Sequence, residues 1–350
     1  MTRHRARTTL RRIATLLTAL VAACAQSQSP APKAATADAS AEMHVARARQ
    51  LAGSDLSYLL KLCQPQPAER ATPSAALDEG LRKLIARPAP PATQVFDNLY
   101  FVGGDWVSAW LLKTSEGLIL IDALNNAAEA REVIEGGMAR LGLDPRQIKY
   151  IVVTHGHGDH YGGARYLVSK YHPRVVSSES DWNMMNGALE FNSAAWDPPP
   201  ERDLSVRDGD TLTLGDTTLT FYVTTGHTLG TLSPAFDVRS GGRSYHALLW
   251  GGTSFNFGKD FSRIKSYSAN AERMRVLATR MPLDVLLSNH AEWDGSIAKM
   301  TALRAAGASG RHPFVIGSAA VDRALQVMDE CARAQSNRFG FPEGTVPSGS

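Results

Sequence analysis

The chain has 350 residues, 43% hydrophobic and 20% charged, enough to bury the core of one large domain or two ordinary ones. It holds 37 basic against 34 acidic side chains, but five arginines and no acid fall within residues 1–23, so the remainder sits near −2. That balance removes any compositional argument for nucleic-acid binding, which needs a clustered basic surface.

The first segment reads as an export signal: Arg3, Arg5, Arg7, Arg11 and Arg12 precede an apolar run, Ile13 to Ala23, too short to span a bilayer. Val21-Ala22-Ala23-Cys24 fits the box that directs lipid attachment to a cysteine. Ala23-Cys24-Ala25 fits plain cleavage after Ala25, so both readings stand for Cys24. The expected location is the periplasm, with a tether to the outer membrane if Cys24 is lipidated. With Cys24 lipidated or removed, Cys63 and Cys331 remain. In an oxidising compartment they are expected to pair, tying the N-terminal segment to the last helix; two separate buried thiols are the alternative.

Residues 24–40 are rich in Ala, Ser, Pro and Gln, the composition of a tether. Residues 41–63 carry leucines at helical spacing, and a short helix is predicted near Leu77–Ile85 before Arg87-Pro88-Ala89-Pro90-Pro91. Residues 24–92 therefore read as a tether and helical extension, not a domain.

Strand signals start at Gln94. Val95-Phe96, Asp97-Asn98 and Leu99–Val102 predict a hairpin. Leu118-Ile119-Leu120-Ile121 is apolar throughout, as in a strand covered on both faces. Lys149–Thr154 is another buried strand, and a strand-rich block runs from Asp208 to Trp250. Helices are predicted at Ala127–Leu141, Gly162–Tyr171, Ala269–Met281, Ile297–Ala306 and Ala319–Arg333. Two strand blocks bordered by helices predict a layered α/β sandwich over residues 93–335, with residues 336–350 as a C-terminal tail.

Chemistry concentrates in Thr154-His155-Gly156-His157-Gly158-Asp159-His160-Tyr161-Gly162-Gly163. Four potential ligands within six residues follow no helical period, and the glycines between them let the backbone turn tightly. Imidazole and carboxylate together suit zinc. His227, in Thr225-Gly226-His227-Thr228, and His290, in Ser288-Asn289-His290, each follow an apolar strand. His4, His44, His172, His246 and His312 have no such setting.

The run resembles the H-x-H-x-D-H motif of the metallo-β-lactamase superfamily, and Gly226-His227-Thr228 resembles its second histidine motif. The resemblance spans about residues 93–310. It implies the four-layer αββα sandwich, here with an N-terminal helical extension, and two zinc ions per chain. It places the first zinc on His155, His157 and His227, and the second on Asp159, His160 and His290. Asp122 matches a strand-end aspartate that supports the site.

His160 resembles subclass B3 of the β-lactamases, and also thioesterase and lactonase members of the superfamily. Those members add a bridging aspartate where this chain has Thr253. A hydroxyl there leaves three protein ligands per metal, the B3 pattern. The expected function is a B3-like β-lactamase that opens the β-lactam amide with a zinc-bound hydroxide, Asp159 binding metal and orienting the hydroxide. The alternative is another hydrolase of this fold acting on lactones, thioesters or phosphodiesters; a non-catalytic zinc-binding protein is a third reading. B3 members carry serines near this point that hold a substrate carboxylate, whereas Gly252-Thr253-Ser254 stand here. Thr253, Ser254 and Asn256 are the candidate polar contacts. Trp106, Phe191, Trp196, Phe255 and Trp293 flank the ligands and are candidates for an apolar wall. A small-molecule substrate, a monomer, no nucleic acid, and no membrane contact beyond the Cys24 anchor complete the expectation.

Overall fold

The computed structural model describes residues 32–306 and 310–341. The expected export signal and Cys24 lie outside them. Two sheets form the centre. The first has seven strands in the order β1 (Thr93–Phe96), β2 (Leu99–Phe101), β3 (Trp110–Thr114), β4 (Gly117–Ile121), β5 (Ile148–Val152), β6 (Arg174–Ser178) and β7 (Leu204–Val206). Its first four strands pair antiparallel, and β4 to β7 run parallel through helical crossovers. The second sheet comprises β8 (Thr211–Leu214), β9 (Thr217–Val223), β10 (Leu232–Ser240), β11 (Arg243–Trp250) and β12 (Val285–Ser288). It is ordered β12-β11-β10-β9-β8, with β11 and β12 parallel and the rest antiparallel.

Strand periodicity creates the layers. Along β3 and β4, Trp110, Leu112, Ile119 and Ile121 point between the sheets and meet Phe221, Phe236 and Leu249. The alternate residues Leu111, Leu118 and Leu120 point outward, onto Ile134, Met138 and Leu167 of flanking helices. On the far side Leu248 and Trp250 face Tyr267, Met274 and Leu325 of the helices Phe261–Ala278 and Ser318–Arg338. The result is an αββα sandwich.

The extension is built into the outer helical layer. A helix spans Pro32–Ala52, so regular structure occupies part of the stretch expected to be tether. Its Val45, Ala48 and Ala52 pack into the same cluster as Val321 and Met328. Cys63 and Cys331 form a disulfide across 268 residues of chain. The last helix runs to Arg338, past the expected tail boundary at 336, because Asn337 and Phe339 are still buried. The Ala127–Leu141 helix contains a π turn at Ala130–Glu135. Strands β6 and β7 were not singled out in the sequence; β7 is three residues long with no fully buried side chain to mark it.

Candidate metal centre

Six side chains converge where the C-terminal ends of strands from both sheets meet. Strand β5 delivers Thr154 and His155; His157 then caps the short helix Gly158–Tyr161, which carries Asp159 and His160. His227 lies in the β9–β10 loop, closed by the Thr224 N–H donating to Thr231 O at 2.8 Å. His290 follows β12 and caps the helix Ala291–Asp294. The Leu232 N–H donates to Thr154 O at 2.7 Å, joining the two sheets just behind the cluster. The glycines in the first motif have negative or extended φ, and close approach is what requires them. A Cβ at Gly158 would lie 2.4 Å from the Trp196 ring, and one at Gly156 2.5 Å from Met184.

His155, His157 and His227 offer ligand atoms within 4.8 Å of one another, as do His155, Asp159 and His160. His290 joins through its Nε2, 3.2 Å from His160 Nε2 and 3.6 Å from Asp159 Oδ2. All of the expected ligands are therefore gathered.

The outward nitrogens decide what the inward ones can do. His155 Nδ1 lies 2.8 Å from Gly251 O, and His227 Nδ1 lies 2.8 Å from Ser254 O. A carbonyl only accepts, so each Nδ1 carries the proton. Burial holds both rings well below the usual histidine pKa, so they are neutral. Their Nε2 lone pairs then face each other at 3.0 Å, a repulsive pair that no hydrogen bond satisfies. A cation between them removes the conflict. Tetrahedral zinc with Zn–N of about 2.0–2.1 Å sets two ligand nitrogens roughly 3.3 Å apart, close to this spacing. His157 adds a buried Nε2 with no hydrogen-bond partner, and burial pushes its pKa down to about 3. The donor set fits zinc.

The second group is arranged around Asp122, fully buried with φ of 64°. Its Oδ1 accepts the Thr154 N–H at 2.8 Å, while Oδ2 accepts the Thr154 hydroxyl and His160 Nδ1, each at 2.8 Å. Burial opposes charge on His160, but Asp159 and Asp122 outweigh it and push the ring up to about 10. His290 Nδ1 lies 3.2 Å from Trp106 O, which fixes it as donor. Despite its burial, Asp159 is held below the usual carboxylate range by His160 and His290.

Three supporting residues carried no sequence signal. Asp181 is 1% exposed and bridges the two histidine motifs: Oδ2 accepts the Gly156 N–H at 2.9 Å and the Thr228 hydroxyl at 2.7 Å, and Oδ1 accepts the Gly230 N–H at 3.0 Å. Asn289 Nδ2 donates to Thr154 Oγ1 at 2.9 Å and Gly251 O at 2.7 Å. Arg263, 2% exposed, donates to Gly226 O and His227 O and pairs with Glu190 at 2.8 Å. Asp181 and Arg263 stand in ordinary helices and only folding brings them to the motifs, while Asn289 precedes His290 and its reach to Thr154 and Gly251 is set by the fold.

A cavity of about 240 Å³ opens over the cluster, with His157, Asp159, His227 and His290 in its floor. Ser254 and Asn256 line it. Thr253 does not; it is 2% exposed with its hydroxyl 3.4 Å from Ser288 Oγ, so the expected substrate contact there is corrected. Trp106, Phe191, Trp196 and Trp293 line it too, whereas Phe255 is fully buried and packs edge-on against Tyr267. The remaining described histidines are structural: His44 bonds Glu330, His246 bonds Asp237, His312 stacks on Phe96, and His172 closes a helix in the left-handed conformation.

Comparison with known proteins agrees with this geometry. Residues 102–240 match the model of the metallo-β-lactamase superfamily. The fold is similar to BJP-1, a subclass B3 metallo-β-lactamase of Bradyrhizobium japonicum, with 30% identity, 68% of this chain and 90% of that one covered, and a TM-score of 0.59. It is also similar to FEZ-1 of Legionella gormanii, at 21% identity, coverage of 72% and 98%, and a TM-score of 0.60. A hydroxyacylglutathione hydrolase of Rhodopseudomonas palustris is 31% identical over 149 residues, 42% of this chain and 51% of that one. The chain thus spans about half the length of the curated relatives it matches.

Proposed function

The chain belongs to the metallo-β-lactamase superfamily and resembles subclass B3; from that premise we propose that it is a dizinc hydrolase that opens the amide of a β-lactam. The observation that carries the metal reading is the pair of neutral histidines, His155 and His227, whose lone pairs face each other at 3.0 Å. His155, His157 and His227 would hold one zinc, and Asp159, His160 and His290 the other. Zinc bound there supplies a Lewis acid and lowers the pKa of bound water to about 7.

The chain's own residues prepare that chemistry. Gly251 O, Ser254 O and Trp106 O fix the tautomers of His155, His227 and His290, so those Nε2 lone pairs are aimed inward before any metal arrives, while Asp122 orients His160, which would give up its Nε2 proton on binding. Asp159, kept ionised, is the group positioned to orient a nucleophilic water by accepting a hydrogen bond from it. Trp106 and Trp196 line the cavity with apolar surface, and Ser254 and Asn256 offer polar contacts to the substrate. Thr253 in place of a bridging carboxylate favours the B3-type site over a thioesterase-type one.

A second reading, hydrolysis of a thioester, draws support from the hydroxyacylglutathione hydrolase relative. Zinc-loaded protein assayed on a chromogenic cephalosporin and on a hydroxyacyl-glutathione thioester separates the two. Cephalosporin turnover that His157→Ala abolishes is the expected result; turnover of the thioester alone would replace the β-lactamase reading with the second. We also place the protein outside the cytoplasm, a reading the Cys63–Cys331 disulfide supports.

A further inference from the structure

The helix Ala75–Ile85 stands apart from the packing that holds the rest of the chain. It is flanked by Pro65–Pro73 on one side and Arg87–Pro91 on the other, segments without regular structure. Its apolar side chains belong to none of the three core clusters. Leu77 and Leu81, one turn apart, face the cavity over the metal cluster instead, and Leu81 is only 7% exposed. The helix is pinned in that position at its first turn: Asp78 Oδ1 accepts the Ser193 hydroxyl at 2.5 Å and the Ala194 N–H at 3.1 Å. Those residues lie in the loop between Asn186 and Leu204, which also carries Phe191 and Trp196, the latter's indole N–H donating to Asn125 Oδ1 at 2.8 Å. Two segments distant in sequence thus build one apolar wall. The ionisable side chains lining the same cavity outside the histidines are Asp159 and Glu292, both acidic.

We infer that Leu77 and Leu81 are specificity-determining residues, forming with Phe191 and Trp196 the wall that receives an uncharged, apolar substituent beside the scissile bond. The inference rests on the metal reading above. Apolar contact in such a pocket favours substrates by differential burial and disfavours an anionic group placed against the wall.

The test uses two thiols, whose sulfur takes the zinc and whose tails differ: 2-mercaptoethanol and 2-phenylethanethiol. Binding to zinc-loaded full chain is measured by calorimetry, with metal content and Tm recorded for every variant. The unmodified protein is expected to prefer 2-phenylethanethiol, and the double variant Leu77→Ala/Leu81→Ala to lose roughly tenfold of that preference with 2-mercaptoethanol affinity unchanged. The apolar replacements Leu77→Met/Leu81→Met should retain it. A preference unchanged in the alanine variant overturns the inference and leaves the metal reading standing. Binding of neither thiol overturns both.

Discussion

Asp122 shows how one carboxylate fixes a site. It leaves β4 in the left-handed region, φ 64°, and there accepts from the Thr154 N–H, the Thr154 hydroxyl and His160 Nδ1. Asn tolerates that backbone but cannot accept in the same way from all three. Asp122→Asn is expected to lower zinc affinity on the order of 10–100-fold, read by competition with a chelating dye. Asp181 gives the pH-dependent case. Burial pushes its carboxyl up to about 6, against about 3.9 in an unfolded chain. Between those values the fold binds the extra proton, so this group stabilises below about pH 4, and that contribution is lost as pH rises through about 6. The wild type minus Asp181→Asn difference in unfolding free energy, from urea titrations, should therefore change across pH 4–6, by at most about 3 kcal/mol, and be flat above pH 7. A difference that is constant from pH 4 to 8 would refute it.

At the scale of elements, the clearest division of labour is between strands that supply ligands and segments that lean on them. β5, β9 and β12 end at one rim, and each is followed at once by a ligand-bearing loop. Apolar runs mark those strands, so their ends, and the histidines after them, were legible in the sequence. The extension was legible only as helices. What it packs against depends on the Ser318–Arg338 helix, nearly 270 residues away, and on the Cys63–Cys331 bond. The 3₁₀ segment Ser57–Cys63 also reaches the metal side, with Lys61 3.2 Å from Glu292 beside the cavity. Replacing both cysteines by serine should destabilise the fold by about 2–4 kcal/mol, measured by denaturant unfolding under non-reducing conditions. Metal content should be unchanged, because no ligand lies in the bridged segments.

For the whole molecule, the two sheets form one core and the ligand set is shared between them: β5 belongs to the first sheet, β9 and β12 to the second. Metal bound across that seam should stabilise the sandwich as a unit. Removing zinc with a chelator is expected to lower Tm in one cooperative transition and to restore it on adding zinc back. At a free zinc concentration a thousandfold above Kd the stabilisation is about 4 kcal/mol.

By itself the sequence determined the chemistry of the centre, because ligand identity is local. His155, His157, Asp159 and His160 sit within six residues, and His227 and His290 follow strands whose apolar runs are visible without a structure. A layered α/β sandwich was legible for the same reason, since alternating and continuous apolar strands state which faces are covered, while the αββα order was what the family resemblance implied. What surrounds the ligand cluster was decided only by tertiary structure. Thr253 turned inward behind the wall, Phe255 became core, and Leu77, Leu81, Asp181 and Arg263 reached the site from segments with no motif to mark them. Distances between side chains far apart in sequence are set by packing of the two sheets and the outer helices, and no single stretch of chain encodes them.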